Sequence, residues 1–353
     1  MKPSVITLHK FALLIVILLL PATYIVYTQD VASFELPLFQ SDETLDMTLD
    51  MDIRKVLKDI GDNRNQHPAE LSYLSQDGDT LKLPVRIQTR GHFRRDPMNC
   101  DFPPLRLNFS EKEAMNTIFE GQDKIKIITH CRSKGTQYEQ NVLKEYLVYR
   151  LYNLFTDESY RVRLSNLTYS DTRGKRDTIF KMAFLLEPTE QMAARIHGKL
   201  VEIKNVQQVQ CDSLKTIRLS VFQYMVGNTD WSVPVPHNVD LVQYKPGVPP
   251  VVVPFDFDWC GLVDAPYAVP AENLGISDVK TRIYRGLCRE EADFERVFQE
   301  FRDKKEEVFQ TIESVSLDDK ELENVLLYVE QFYSTLDDPA LIKIEFYDAC
   351  RTP

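Results

Sequence analysis

The chain has 353 residues, 43% of them hydrophobic, with 42 Lys and Arg against 53 Asp and Glu and a formal net charge of -11. That hydrophobic content supports a substantial core and excludes a natively disordered chain, and the length fits one large domain or two intimate ones. A net acidic chain repels a phosphate backbone unless its basic residues are strongly segregated, so nucleic acid is not an expected partner.

Residues 1–10 carry two lysines, and 11–27 (FALLIVILLLPATYIVY) form an apolar run interrupted by Pro21 and followed by acidic sequence from Asp30. Positive before and acidic after predicts that the N-terminus stays inside and the body lies across the membrane. A cleaved signal peptide and an uncleaved anchor over residues 1–28 both fit, because the run has about the minimum length of a span. The protein is therefore expected to be exported, either secreted or held at the membrane by this segment. Six cysteines suit an oxidising compartment; Cys100 with Cys131 and Cys260 with Cys288 are the expected pairs, since each brackets segments expected to be neighbours. No zinc-type spacing occurs, and His130-Cys131 is an isolated pair.

Residues 29–50 are expected to be extended and acidic, and 52–60 (DIRKVLKDI) a short helix. From 69 to 90 the chain alternates around Asp77-Gly78, a hairpin signal. Residues 29–80 thus make an N-terminal extension with a first hairpin strand, and 81–353 the main body. Strands are expected at 105–109 and 124–129, then a long amphipathic helix at 138–155, strands at 160–170 and 179–187, and a helix at 189–196. A helix over 212–226 stops at Gly227, a hairpin follows at 239–244 and 251–255, and helices at 290–313 and 317–336 complete the chain. Taken in order, these elements describe a two-lobed α+β protein, strand-rich over about 81–187 and helix-rich over about 188–353.

The chemistry is expected between 225 and 259 (MVGNTDWSVPVPHNVDLVQYKPGVPPVVVPFDFDW). Asp230 follows a helix stop in a polar loop, where it is either a carboxylate facing an acceptor hydroxyl or a turn residue capping local backbone. The hairpin should carry Asn238 and Asp256 to one end, with Asp258 on the face of Asp256 by strand alternation, as hard oxygen ligands for Mg2+. An edge-strand charge repeat is the plain alternative, but carboxylates among Phe255, Phe257 and Trp259 are costly to bury without a counterion. Arg90 and Arg94, in the basic turn RGHFRR, are placed to cover nucleotide phosphates or to be simply solvated. Lys126, which shares a strand face with Lys124, is expected to contact phosphate and pair with Glu145 of the next helix; Glu187 is an alternative acidic partner. Asn108 and Asn166 begin glycosylation sequons.

Across most of residues 80–262 the chain resembles the CotH-type spore-coat kinase family, an atypical protein-kinase-like group. VRIQTRGHFRR resembles its arginine-glycine phosphate loop and IFKMAFLLEPTEQMAAR its strand ending in Glu before a helix. GNTDW with the downstream His237-Asn238 resembles its catalytic loop, and VVVPFDFDWCG its metal-binding segment. The resemblance implies a kinase-like fold and ATP- and Mg2+-dependent phosphorylation of Ser or Thr on a protein substrate. It makes Asp230 the catalytic carboxylate and places Asn238 with Asp256 or Asp258 on the metal. Where the family has lysines after the phosphate loop, this chain has FPPLR, so Arg106 or Lys126 would contact the nucleotide. Little ATP is expected outside a cell, which keeps open a kinase-derived envelope binding module; a metal-dependent hydrolase with His237 as ligand is a third reading.

Overall fold

Alternating apolar residues in the first half build strands that close on themselves. In the computed structural model, which describes residues 36–75, 78–201 and 205–352, these are β1 (Leu45–Met51), β2 (His67–Leu74), β3 (Thr80–Thr89), β4 (Leu105–Asn108), β5 (Lys124–Ile128), β6 (Val162–Asp171) and β7 (Ile179–Leu186). They form a closed barrel in the order β1-β2-β3-β4-β5-β7-β6. Closure comes from β1, which pairs antiparallel with β2 and parallel with β6, Leu49 facing Tyr169 in the latter register. Leu45, Met47, Leu49 and Met51 bury inward, with Ile125 and Ile127 of β5 in the same core.

This corrects the expected two-lobed, kinase-like architecture: the first half is a closed seven-stranded barrel, not a kinase-type N-lobe sheet. The physical reason lies in 45–51 (LDMTLDM), expected only to be extended, whose alternation supplies the strand that removes the sheet's free edge. The expected boundary at residues 80 and 81 falls inside a hairpin, since Leu74 of β2 pairs with Thr80 of β3. Asp77 of that turn and the apolar run at 11–27 lie outside the described residues. Among the described residues no helix is long and apolar enough to cross a membrane.

Two short helices decorate the barrel, α1 (Ile53–Lys58), capped by Asp52, and α2 (Glu111–Ala114). The second half packs around α3 (Gln137–Asn153), followed by α4 (Thr189–Arg195), β8 (Lys199–Leu200), α5 (Ser213–Met225), β9 (Val239–Gln243) and β10 (Val251–Pro254). Helices α6 (Glu291–Asp303), α7 (Lys305–Ser314), α8 (Asp319–Leu336) and α9 (Pro339–Ile342) complete it. The α3 helix is not amphipathic as expected: it is buried on nearly every side, and even its Lys144 is buried, paired with Glu321 of α8 at 2.6 Å. A helix sandwiched between a barrel and a helical layer has no solvent face.

Two disulfides form, Cys100–Cys131 as expected and Cys288–Cys350. The expected Cys260–Cys288 pair does not: Cys260 is a buried free thiol, as is Cys211. Two disulfides are compatible with an extracytoplasmic protein.

Candidate active site

Four segments carry most of the site, joined by Lys126 of β5 and Tyr267. The first is the basic turn after β3. Gly91 has φ 78, a left-handed conformation that lets the chain fold back into the short turn Phe93–Arg95. Arg90 donates from its backbone to Pro104 O at 2.8 Å and from Nε to Leu105 O at 3.3 Å. Arg94 donates to the Thr129 carbonyl and lies 3.9 Å from Asp258 Oδ2, while its Nε is buried without a partner. Arg95 turns away to Asp62 at 3.0 Å. The Cys100–Cys131 disulfide ties the end of this turn to the segment leaving β5.

The second segment is α3, which presents Glu145 and, one turn later, Tyr149, whose hydroxyl accepts the backbone N–H of Asp256 at 2.8 Å. The third is the loop after α5. Gly227 ends the helix with φ 65, and a Cβ there would lie 2.0 Å from Tyr328 Oη. The Gly227 carbonyl accepts from Gly261 N at 3.0 Å, which docks this loop against the turn that follows Asp258. Asn228 Oδ1 accepts the Asp230 amide at 2.9 Å, leaving the Asp230 carboxylate to take His237 Nε2 at 3.0 Å and Asn238 Nδ2 at 2.9 Å. Asp230 therefore receives side chains instead of capping a turn, and its side chain stays 36% exposed.

The fourth segment is the β9–β10 hairpin. Val239 pairs with Pro254 and Phe255 N donates to Asn238 O at 3.0 Å, so Asn238 and Asp256 sit at one end. Strand alternation does not continue through FDFD as expected. The strand stops at Pro254, and Asp256 adopts φ 61, leaving Asp256 exposed and Asp258 buried. This is also not an edge-strand charge repeat.

Burial raises the Asp258 carboxyl to about 7, helped by the neighbouring Asp256 charge and, more weakly, by Asp230, while Arg94 and Tyr267 oppose the shift. Glu145 is raised well above its ordinary value by burial and then by Asp258 and Asp256. Facing these carboxylates, Arg90 is lowered by burial and Lys126 by burial and then by Arg90. Acids raised by burial and by neighbouring carboxylates, beside buried cations, are the pattern of a candidate functional site.

Of the expected residues, Arg90, Arg94, Lys126, Glu145, Asp230, Asn238, Asp256 and Asp258 come together. Lys126 lies over the Phe255 ring, 5.4 Å from its centroid, and it makes no ion pair with Glu145 among the described residues; Glu145 instead feels Arg94 and Arg90. Arg106 stands directly across the β4–β5 pair from Lys126. Glu187 is engaged elsewhere, held by Arg195 at 2.8 and 3.0 Å. Lys124 is exposed beside Asp123 at 3.2 Å. His237 points its Nε2 at Asp230, not at the aspartate pair.

Residues missed in the sequence complete the arrangement. Tyr267 donates to Asp258 Oδ2 at 2.9 Å, and its ring centroid is 5.9 Å from the Arg94 guanidinium carbon. It lies in an irregular segment whose sequence has no periodicity to reveal it. Tyr149 was detectable, because it follows Glu145 by four residues on one helix. Asp240, raised by burial, takes the Tyr160 hydroxyl close to Lys126.

No protein-family model matches this chain, and no curated protein does. The resemblance to CotH-type kinases accordingly rests on the motifs alone. Among the described residues no three His, Cys, Asp or Glu side chains form a ready-made metal cage. Mg2+ in nucleotide sites commonly takes only one or two carboxylates, with phosphates and water completing its octahedron. Asp256 and Asp258, with Asn238 at the same hairpin end, suit such a partial ligand set.

Proposed function

We propose that this protein is an ATP- and Mg2+-dependent phosphotransferase acting on Ser or Thr hydroxyls of a protein substrate. The observation that carries the reading is the clustering of Asp256, Asp258 and Glu145 with Arg90, Arg94 and Lys126, close to Asp230. Both signs of charge are needed together for phosphoryl transfer, cations for the phosphate oxygens and acids for the metal. The motif likeness to CotH-type kinases supports the same activity, although the barrel is not a kinase-type N-lobe.

Asn238, Asp256 and Asp258 would hold Mg2+, which when bound offsets the negative charge of the polyphosphate. Arg90, Arg94 and Lys126 bind and orient the phosphates. Asp230, oriented by His237 and Asn238, accepts the proton of the acceptor hydroxyl as its oxygen bonds to the γ-phosphorus and ADP departs. Tyr267 holds the Asp258 carboxylate in place, and Glu145 balances the arginines.

We further propose that the chain is exported, with 11–27 as its signal or anchor, and that the reaction requires a compartment supplied with ATP. The test is transfer from γ-labelled ATP to protein by the full chain with Mg2+. Label should enter protein and be abolished by Asp230→Ala; labelling that survives Asp230→Ala would overturn the assignment.

A further inference from the structure

Asp230 belongs to a short loop, and a loop carboxylate acts on a hydroxyl only if its backbone is held. Within the loop, Gly227 and Asn228 are anchored to α5, the latter through Asn228 N to Gln223 O at 2.8 Å. Beyond them, Thr229 is fixed from outside. Its carbonyl accepts a guanidinium N–H from Arg285, which lies 56 positions away in the irregular segment before α6. The Arg285 charge also stands near the Asp230 carboxylate, although burial is the larger influence on this arginine.

Arg285 is itself held by an unusual strap. The Arg351 guanidinium donates to the Arg285 carbonyl, and Gln208 Nε2 reaches the same oxygen at 3.4 Å. Arg351 N donates to Gly286 O at 3.0 Å and Cys288 N to Arg351 O at 2.9 Å, so residues 286–288 and 351 lie side by side as a single parallel bridge. One isolated bridge of this kind is weak by itself. The covalent Cys288–Cys350 bond closes it, one residue from each of the bridged positions, Leu287 and Arg351.

We infer that Arg285 is a positioning residue for Asp230 and that the Cys288–Cys350 disulfide is the strap that keeps Arg285 on the Thr229 carbonyl. The inference rests on the reading of Asp230 as the group that receives the acceptor proton. It adds that the acceptor half of the site is set by a segment outside every motif noted in the sequence, and that its geometry depends on an oxidised cysteine pair. The nucleotide half, built from Arg90, Arg94, Lys126 and the aspartate pair, is fixed by other contacts and by the other disulfide.

Two measurements on the full chain test it, with Arg285→Gln, Arg285→Lys and the Cys288→Ser/Cys350→Ser double variant. Hydrogen exchange across 227–231 should accelerate about tenfold or more in Arg285→Gln and in the double variant, the fold-change expected for loss of one charge-assisted hydrogen bond, with Arg285→Lys intermediate. Phosphate transfer should show kcat reduced about tenfold while the KM for ATP stays within about twofold, the split expected of a group that acts only on acceptor positioning. Unchanged exchange at 227–231 in both Arg285→Gln and the double variant would overturn the inference. So would a loss of ATP affinity as large as the loss of kcat. If the wild-type chain transfers no phosphate, the proposed activity fails, and the exchange measurement still decides whether Arg285 and the disulfide hold the loop.

Discussion

Phe93 stands edge-on to Trp259, with ring centroids 5.3 Å apart and planes at 79°. Phe93 lies in the basic turn and Trp259 directly follows Asp258, so this aromatic contact joins the cationic turn to the acidic segment. The Phe93 ring also reaches Tyr267 at 5.7 Å, the residue that bonds Asp258. An aromatic pair of this geometry contributes about 1 kcal/mol beyond simple burial. Phe93→Ala should therefore weaken Mg·ATP binding about fivefold or more, and Phe93→Tyr should restore most of it; calorimetric titration of both variants checks this.

The elevated Asp258 carboxyl gives the metal-free protein a defined pH response. Between its ordinary value of 3.8 and its folded value of about 7, the folded state keeps the proton that the unfolded chain has lost. The unfolded state then binds fewer protons, so stability falls as pH rises through this window, by up to ~1.4 kcal/mol per unit, and levels off above it. Glu145 shifts in the same direction and adds to the trend. Melting in chelator should be higher at pH 5.5 than at pH 8, with the difference reduced in Asp258→Asn. Added Mg2+ should recover more stability at pH 8, where it does not compete with the proton.

Much of this fold was legible in local sequence. The alternation in β2 to β7, the Asp212 cap and left-handed Gly227 around α5, and the hairpin that joins Asn238 to Asp256 follow from period, capping and turn chemistry. Barrel closure was not legible, because β1 meets β6 across more than a hundred residues and no local pattern specifies a parallel partner. The site divided in the same way. Asp230, Asn238 and the aspartate pair lie in contiguous motifs, whereas Tyr267 reaches Asp258, and Arg285 the Thr229 carbonyl, from the irregular stretch between β10 and α6. Glu187 looked equivalent to Glu145 until tertiary packing gave it to Arg195.

The observed and expected pairings both leave two free thiols, so it is their identity that distinguishes Cys288–Cys350 from the expected Cys260–Cys288. Unfolded but unreduced protein should expose the two thiols of Cys211 and Cys260. Peptide mapping should recover Cys100 linked to Cys131 and Cys288 linked to Cys350. Replacing Cys100 and Cys131 together by serine should cost roughly 3–4 kcal/mol in denaturant titration, given a closed loop with a sequence separation of 31.

Gly227 and Tyr328 set the approach of the Asp230 loop to the turn after Asp258. Gly227→Ala places a methyl group 2.0 Å from Tyr328 Oη at a left-handed position. It should destabilise the protein by about 2 kcal/mol or more. In a Tyr328→Phe background, which removes that oxygen, the cost should shrink, and a double-mutant cycle measures the coupling.

We propose that Asp256, Asp258 and the opposing cations form one Mg2+-dependent nucleotide site. Its most direct test is calorimetric titration of the full chain with ATP, with and without Mg2+, for the wild type and for the Asp256→Asn/Asp258→Asn double variant. Saturable binding that requires Mg2+ and disappears in the double variant is expected, while the variant still melts cooperatively. Absence of ATP binding by the wild type, or binding indifferent to both Mg2+ and the two aspartates, would contradict it.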